Sequence, residues 1–155
     1  MLPGGDPLLI GSYRYAMDEK GRVFLPAKWR TGLGDTLVLF PGILETGMGK
    51  CLYGMPEAAW SLMAERLSRL PITDTGAQAV KRRLYAMAAA CEPDSQGRVL
   101  IPQQLRESAE LLRETVLIGV GERIELWNPD ILRQYENSTA AEMGDALRHL
   151  SEIGI

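Results

Sequence analysis

The chain has 155 residues, of which 46% are hydrophobic and 24% are charged, and this balance excludes a disordered protein. No segment approaches the roughly 20 consecutive apolar residues of a membrane span, and the opening residues 1–6 lack the basic region and apolar core of a secretion signal. We therefore expect a cytoplasmic protein without a membrane partner, long enough for one domain or for two small units that share a core.

The net charge of −3 conceals two basic stretches and one acidic stretch. Residues 11–30 carry five cations against two acids, and residues 81–106 carry the same excess. From Glu107 to the end of the sequence, ten acids stand against four arginines. Net charge alone argues weakly against a nucleic-acid partner, but this uneven distribution is compatible with a polyanion bound on one face.

The first half of the chain predicts a β-rich unit that ends in a helix. In chain order we expect a strand over 13–17, a strand over 23–25, a helical turn after Pro26, strands that begin at Thr36 and Cys51, and a helix from Pro56 to about Leu70. In that last helix Trp60, Met63 and Leu67 have the spacing of a buried face.

The second half follows a turn over 70–76, where Thr73 or Asp74 can cap a helix over 77–85. Val80 and Leu84 share one face of that helix, and the alanine-rich residues 86–90 are expected to pass into a strand. After it we expect a turn at 94–98, a strand from Val99, a helical turn after Pro102, strands from Thr115 and Ile124, and a helix from Pro129.

An internal repeat relates the two halves. Residues 18–30 align without gaps on residues 94–106, a constant offset of 76 positions. An Asp, a Gly, an Arg, a Val, a Pro and a second Arg are identical at matched positions. The sequence therefore predicts one small unit that is present twice.

The repeated turns Asp18–Arg22 and Asp94–Arg98 carry the predicted function. Gly21 and Gly97 fall where a hairpin loop needs a residue with positive φ, so both segments are interpreted as hairpin tips. At such a tip the Asp carboxylate can hold the Arg guanidinium in a fixed orientation. A two-stranded ribbon fits the major groove of DNA, and an oriented arginine can donate two hydrogen bonds to guanine. We therefore predict that Arg22 and Arg98 read bases.

A purely structural interpretation of each Asp–Arg pair remains open, although an exposed pair of this kind adds only about 0–1 kcal/mol to stability. The repetition favours a function, because stability does not require a positive projecting tip twice. Lys20 lies beside the first arginine, and three further cations follow the predicted strands by one helical turn. Because no Asp is paired with them to fix their direction, we assign all four cations to DNA phosphates: Lys20, Lys28, Arg30 and Arg106.

Two neighbouring features are interpreted as structural. The segments 23–26 and 99–102, which follow each tip arginine, predict buried strand that ends at a proline opening a helical turn. The consecutive cations 81–83 fan around a predicted helix, so a solvated face is favoured over contact with DNA.

Metal binding and catalysis are not expected. Cys51 and Cys91 are forty positions apart without metal-ligand spacing, and His149 is the single histidine. Two free thiols are favoured over a disulfide bond, because a cytoplasmic protein is kept reduced. Nothing in the sequence pairs a nucleophile with a base, and no glycine motif cradles a phosphate. We predict no cofactor, no metal and no enzyme activity.

These features resemble the MraZ family, through the two DxxxR motifs, the apolar pair and proline after each, and the segment 116–127 with its Gly-Val-Gly-Glu-Arg-Ile-Glu-Leu-Trp run. The resemblance covers residues 11–135. It implies an α+β, mainly β fold with two tandem AbrB-like swapped-hairpin units that interlock as an intramolecular pseudo-dimer, with helices after each unit. It also implies ring-shaped homo-oligomers, nucleoid association, and binding to repeated promoter boxes upstream of its own division and cell-wall gene cluster.

Carried over to this chain, the resemblance implies that Arg22 and Arg98 contact DNA, oriented by Asp18 and Asp94 and with Lys20 supporting the first. Gln96 stands in the second tip where Lys20 stands in the first, so the two tips are unequal. Residues 1–10 and 41–49 are less typical of the family and are assigned no role.

The predicted organisation is a first AbrB-like unit with its helix (11–72), a connecting helix (73–86), a second AbrB-like unit (87–135) and a C-terminal helical tail (136–155). The alternative function is that of an AbrB-like antitoxin or another protein-binding module. Such antitoxins usually carry one unit and a disordered tail, whereas the apolar positions after Pro129 are compatible with helix.

Overall fold

The computed structural model of the chain describes residues 9–155, so residues 1–8, to which no role was assigned, lie outside the described part. Eight strands and six α-helices follow one another in it. The strands are β1 (Leu9–Ala16), β2 (Arg22–Phe24), β3 (Leu37–Leu44), β4 (Gly47–Pro56), β5 (Ala89–Cys91), β6 (Arg98–Leu100), β7 (Glu114–Gly121) and β8 (Ile124–Trp127). The helices are α1 (Ala27–Leu33), α2 (Glu57–Ser68), α3 (Thr75–Met87), α4 (Gln103–Ser108), α5 (Pro129–Thr139) and α6 (Met143–Glu152).

The strands form a six-stranded antiparallel sheet, in the order β1-β7-β8-β4-β3-β5, and a separate two-stranded ribbon of β2 and β6. Strands at equivalent places in the two halves are β1 and β5, β3 and β7, and β4 and β8, so the order is the same from either edge. In the ribbon, Val23 pairs with Val99, its own counterpart 76 residues later. The two halves are therefore related by a pseudo-two-fold axis that passes through this pair.

The two halves interlock through their strands. The edge strand β1 of the large sheet pairs with β7 of the other half, and β4 pairs with β8 across the centre of the sheet. In the ribbon, β2 of the first half pairs with β6 of the second. This arrangement confirms the predicted fold of two tandem swapped-hairpin units that form a pseudo-dimer within one chain. The unit boundaries predicted from the sequence stay a prediction.

One local expectation was wrong, because β1 and β2 do not pair as the two arms of a hairpin. The turn between them closes through backbone bonds from Asp18 N to Arg22 O at 2.9 Å and from Gly21 N to Asp18 O at 3.0 Å. Beyond the turn, β2 pairs with β6 over three residues, and β1 pairs with β7 over eight. Each turn thus sends its second strand to the other half of the chain.

The ribbon also corrects the prediction that the residues after each tip arginine are all buried. Val23, Leu25, Val99 and Ile101 are indeed buried, at 0–1% exposure. Phe24 and Leu100 are 41% and 54% exposed, however. Side chains alternate between the two faces of a strand, so the residue between two buried neighbours points outward.

The helices largely follow the sequence pattern. Asp74 caps α3 by accepting a hydrogen bond from Ala77 N at 3.0 Å, and Asn128 caps α5 through Asp130 N at 2.8 Å. Of the two residues that share a face of α3, Leu84 is buried against the sheet and Val80 is 44% exposed. It is the later part of α3, leading into β5, that joins the apolar cluster around Phe40.

The C-terminal tail is helical, as predicted, and continues from α5 through a short 3₁₀ turn into α6. Every residue of α6 is exposed, including Met143, Leu147 and Leu150 at 60%, 57% and 39%. Across residues 9–155, no helix combines the length and the apolar character that a membrane crossing needs.

Candidate nucleic-acid interface

The first tip is a compact Asx-type turn organised by one carboxylate. Asp18 Oδ1 accepts hydrogen bonds from Lys20 N at 3.0 Å and from Arg22 N at 2.9 Å. Its other oxygen, Oδ2, accepts from Arg22 Nε at 2.7 Å. Gly21 has a φ of 88°, a conformation that other residues rarely adopt. The five residues thus form a turn in which Asp18 fixes both the backbone and the direction of the guanidinium.

The second tip repeats this geometry. Asp94 Oδ1 accepts from Gln96 N at 3.0 Å and from Arg98 N at 2.9 Å, and Oδ2 accepts from Arg98 Nε at 2.9 Å. Gly97 has a φ of 81°. The third residue of each turn contributes only its backbone N–H to the carboxylate. The presence of Gln96 where the first tip has Lys20 therefore leaves the turn itself unchanged.

Both carboxylates are held in the ionised form. The backbone N–H of Arg22 is the main cause of a lowered pKa at Asp18, and the Arg22 side chain and the Lys20 N–H act in the same direction. At Asp94 the backbone N–H of Arg98 lowers the pKa in the same way, followed by the Arg98 side chain. Hydrogen bonds donated to a carboxylate stabilise its charged form. Each arginine therefore keeps its anionic partner at neutral pH.

The two tips lie side by side and form one surface. Arg98 Nη1 lies 4.0 Å from Asp18 Oδ2 of the other tip. In the ribbon, Arg22 pairs with Leu100 and Phe24 pairs with Arg98, and the Arg98 guanidinium lies 6.0 Å from the centre of the Phe24 ring. We call these four outward-facing residues, Arg22, Phe24, Arg98 and Leu100, the tip face.

Sequence reasoning missed the apolar members of the tip face. It assigned Phe24 and Leu100 to the core because each follows a valine and precedes another aliphatic residue. The signal that identifies them is the two-residue period: if Arg22 points outward and Val23 inward, Phe24 must point outward again. Tyr15 lies beside Phe24, with ring centres 6.5 Å apart.

The four remaining predicted site residues fall into two pairs. Lys20 and Lys28 are exposed. Arg30 donates from Nη2 to Leu25 O at 3.1 Å, and Arg106 donates from Nε to Ile101 O at 2.9 Å. Neither arginine has an acidic partner among the described residues, but a backbone carbonyl orients the guanidinium in each repeat.

The two cysteines are buried and are not part of the tip face. Cys51 and Cys91 are free and buried, and burial raises the pKa of these thiols to about 12 and about 11. Both thus stay protonated at neutral pH, and a protonated thiol is a weak nucleophile. Within residues 9–155, no group of three or more His, Cys, Asp or Glu side chains is arranged to hold a metal ion.

Two interlocked copies of a strand, turn, strand and helix, with an Asp-held arginine in each turn, define the double AbrB-like class of proteins. A family described as "MraZ protein, putative antitoxin-like" matches residues 8–83 and again residues 84–149. The chain therefore belongs to the MraZ family.

Relatives in several bacteria support this assignment. The protein of Carboxydothermus hydrogenoformans is 41% identical over 134 residues, which cover 86% of this chain and 90% of the relative. That of Lactiplantibacillus plantarum is 39% identical over 94% of this chain and its own whole length. A third, from Thermoanaerobacter pseudethanolicus, is 38% identical over 96% of this chain and its own whole length. All three are named transcriptional regulator MraZ.

Proposed function

We propose that this protein is a nucleoid-associated transcriptional regulator that binds DNA sequence-specifically through its tip face. Its targets are repeated promoter boxes upstream of its own division and cell-wall gene cluster. The observation that carries the proposal is that two arginines, each held by its own carboxylate, face outward side by side on one ribbon. The family membership and the names of the relatives support the same function.

The two-stranded form of the ribbon and its two arginines suit the major groove. A two-stranded ribbon can enter that groove, and an arginine reads guanine by donating two hydrogen bonds to O6 and N7. Because Asp18 and Asp94 bind Nε of their arginines, the terminal amino groups stay available to donate to a bound duplex. Fixing the guanidinium before binding lowers the entropy cost of binding, which favours a base-reading role.

Phe24 and Leu100 give the tip face an apolar component between its arginines. In the major groove, apolar side chains contact the C5-methyl group of thymine. We assign to Phe24 and Leu100 a preference for thymine next to the guanines read by Arg98 and Arg22. Contact with thymine would explain why Phe24 and Leu100 are exposed on the ribbon although they are apolar.

Lys28 and Lys20 are assigned to phosphates, where a charge is needed and an exact direction is not. Lys28→Ala is therefore expected to weaken binding to operator and to scrambled DNA alike. A lysine that neutralises a phosphate releases condensed counterions, so the slope of log affinity against log salt should become shallower by about 0.9 for each phosphate that is no longer neutralised. Titrations of both DNAs at several salt concentrations measure the two effects. An unchanged slope, or a weakening confined to the operator, contradicts the assignment.

The function itself is tested by binding assays with the wild-type protein. DNA from upstream of its own gene and a scrambled duplex of equal length are titrated across a range of salt concentrations. A regulator of the proposed kind binds the upstream DNA more tightly at every salt concentration. Equal affinity for both duplexes at all of them would exclude sequence-specific recognition.

We also propose that the protein forms ring-shaped homo-oligomers. The exposed apolar residues of α6 support this proposal, because an apolar helix stripe in water favours association. The expected result in multi-angle light scattering at micromolar concentration is a mass several times the 17.1 kDa of one chain. A mass equal to that of one chain contradicts the ring. It does not bear on DNA binding, which the binding assay tests separately.

A further inference from the structure

Arg30 in α1 and Arg106 in α4 each lie against the turn of the opposite repeat. A Cβ atom built on Gly21 would come within 2.6 Å of Cζ and Nε of Arg106. A Cβ atom built on Gly97 would overlap the guanidinium of Arg30. Both glycines thus combine a positive φ with an arginine packed where a side chain would begin. These contacts link α4 to the first tip and α1 to the second.

Each arginine is also hydrogen-bonded to the residue that directly follows the ribbon strand of its own repeat. Arg106 Nε donates to Ile101 O at 2.9 Å, and Ile101 N donates to Gly21 O at 2.9 Å. In the same way Arg30 Nη2 donates to Leu25 O at 3.1 Å, and Leu25 N donates to Gly97 O at 2.9 Å. In each case the arginine, the residue after the ribbon strand and the glycine of the opposite turn therefore contact one another across the repeats.

The geometry of the turns shows why such a link matters. The bonds from Asp18 to Arg22 all lie within one five-residue turn. They fix the guanidinium relative to its own turn, but they do not fix the turn relative to the rest of the protein. A backbone bond to the opposite repeat begins that second constraint, and the cross-repeat arginine adds to it, because the arginine packs on the glycine immediately before the tip arginine.

We propose that Arg106 is the positioning residue for Arg22 and that Arg30 is the positioning residue for Arg98. This inference rests on the proposed base-reading function of the tips. It replaces the sequence-based assignment of Arg30 and Arg106 to phosphates. Because each tip is held by the opposite repeat, the two reading arginines keep a fixed separation on the DNA.

The first test needs no DNA. Amide hydrogen exchange is measured on full-length wild type, Arg106→Ala and Arg30→Ala, with Lys28→Ala as a control that removes an exposed cation of α1. In Arg106→Ala, exchange should accelerate at Gly21 and Arg22 and stay unchanged at Gly97 and Arg98. Arg30→Ala should give the opposite pattern. Acceleration at both turns in either variant, or at neither, overturns the cross-repeat link.

The second test uses binding to operator and scrambled DNA across salt concentrations. Arg106→Ala should weaken operator binding by about fivefold or more, the effect expected when one base is read poorly, and leave scrambled binding and the salt slope unchanged. Arg106→Lys keeps the charge but not the planar fork, so it should not restore operator affinity. Equal weakening on both DNAs with a shallower slope, like that expected for Lys28→Ala, would show that Arg106 binds phosphate.

The two tests separate this inference from the proposed function. If the wild-type protein does not distinguish operator from scrambled DNA, the proposed function fails and the exchange pattern still decides the link. If the wild type does distinguish them but the two variants exchange normally, the positioning role alone is wrong. Thermal unfolding of each variant shows that the compared proteins are folded, and Arg30→Ala provides an independent second case.

Discussion

The Arg22→Ala and Arg98→Ala variants are expected to lose about 1–3 kcal/mol of specific binding for each guanine that is no longer read. The double variant should lose most of its preference for operator over scrambled DNA. The reason is geometric, because each arginine is oriented by its carboxylate through an Nε–Oδ2 bond of 2.7 or 2.9 Å. Alanine removes the donor groups and leaves a neighbouring anion, Asp18 or Asp94, facing the DNA.

Folding of these variants should change little, because neither arginine is part of the buried core. Arg69→Ala is the matched control, since Arg69 is exposed at the end of α2 and its only ion pair among the described residues is with Glu65. Equilibrium binding and thermal unfolding are measured on all of these proteins. If a tip variant unfolded early yet bound operator normally when folded, the Asp–Arg pairs would be structural.

Trp29→Ala is expected to lower the free energy of unfolding by about 3–5 kcal/mol, the largest single loss of stability that we predict. Trp29 is 1% exposed and lies on α1, where its ring meets that of Tyr13 edge to face at 5.3 Å. Its Nε1 also donates to Ile10 O at 2.8 Å, which fastens α1 to the edge strand β1. Alanine removes the ring and leaves a cavity between the helix and the sheet.

Trp29→Phe separates the two contributions of this side chain. Phenylalanine keeps most of the buried surface but cannot donate to Ile10 O, so it should cost clearly less than alanine, about 1–3 kcal/mol. Chemical denaturation of the three proteins gives the comparison. A loss below about 1 kcal/mol for Trp29→Ala would show that α1 does not depend on this anchor.

Local features of the sequence predicted the repeated turns well. A positive-φ glycine and an aspartate four residues before an arginine determine each tip through contacts within five residues, so their spacing is sufficient. The constant offset of 76 residues predicted that the two halves are equivalent, because segments with matching sequences form the same local turn. Helix caps are equally local: the sequence offered Thr73 or Asp74 as the cap of α3, and Asp74 is the residue that accepts the hydrogen bond.

The interlocking of the halves could not be predicted from local pattern. The backbone N–H and C=O groups of β2 could pair with any of several strands. The strand that they do pair with, β6, lies 76 residues away in sequence, so no local pattern identifies it. The same long-range choice decides which glycine Arg30 and Arg106 cover. The family resemblance, and not the periodicity, indicated the swapped arrangement.

The direction of Phe24 and Leu100 was missed for a different reason. A short apolar segment before a proline predicts burial from composition, whereas the ribbon has one buried face and one exposed face. Composition therefore indicated the wrong environment for the two residues that complete the tip face.

Base reading by the tip arginines is tested most directly by binding of the wild type, Arg22→Ala and Arg98→Ala to operators in which single guanines are replaced by 7-deazaguanine. That base lacks the N7 acceptor and keeps normal base pairing. We predict that the wild type loses affinity at particular guanines, and that each variant becomes insensitive at its own guanine and stays sensitive at the other. If both variants kept the complete wild-type pattern of sensitivity, the tip arginines would not read bases.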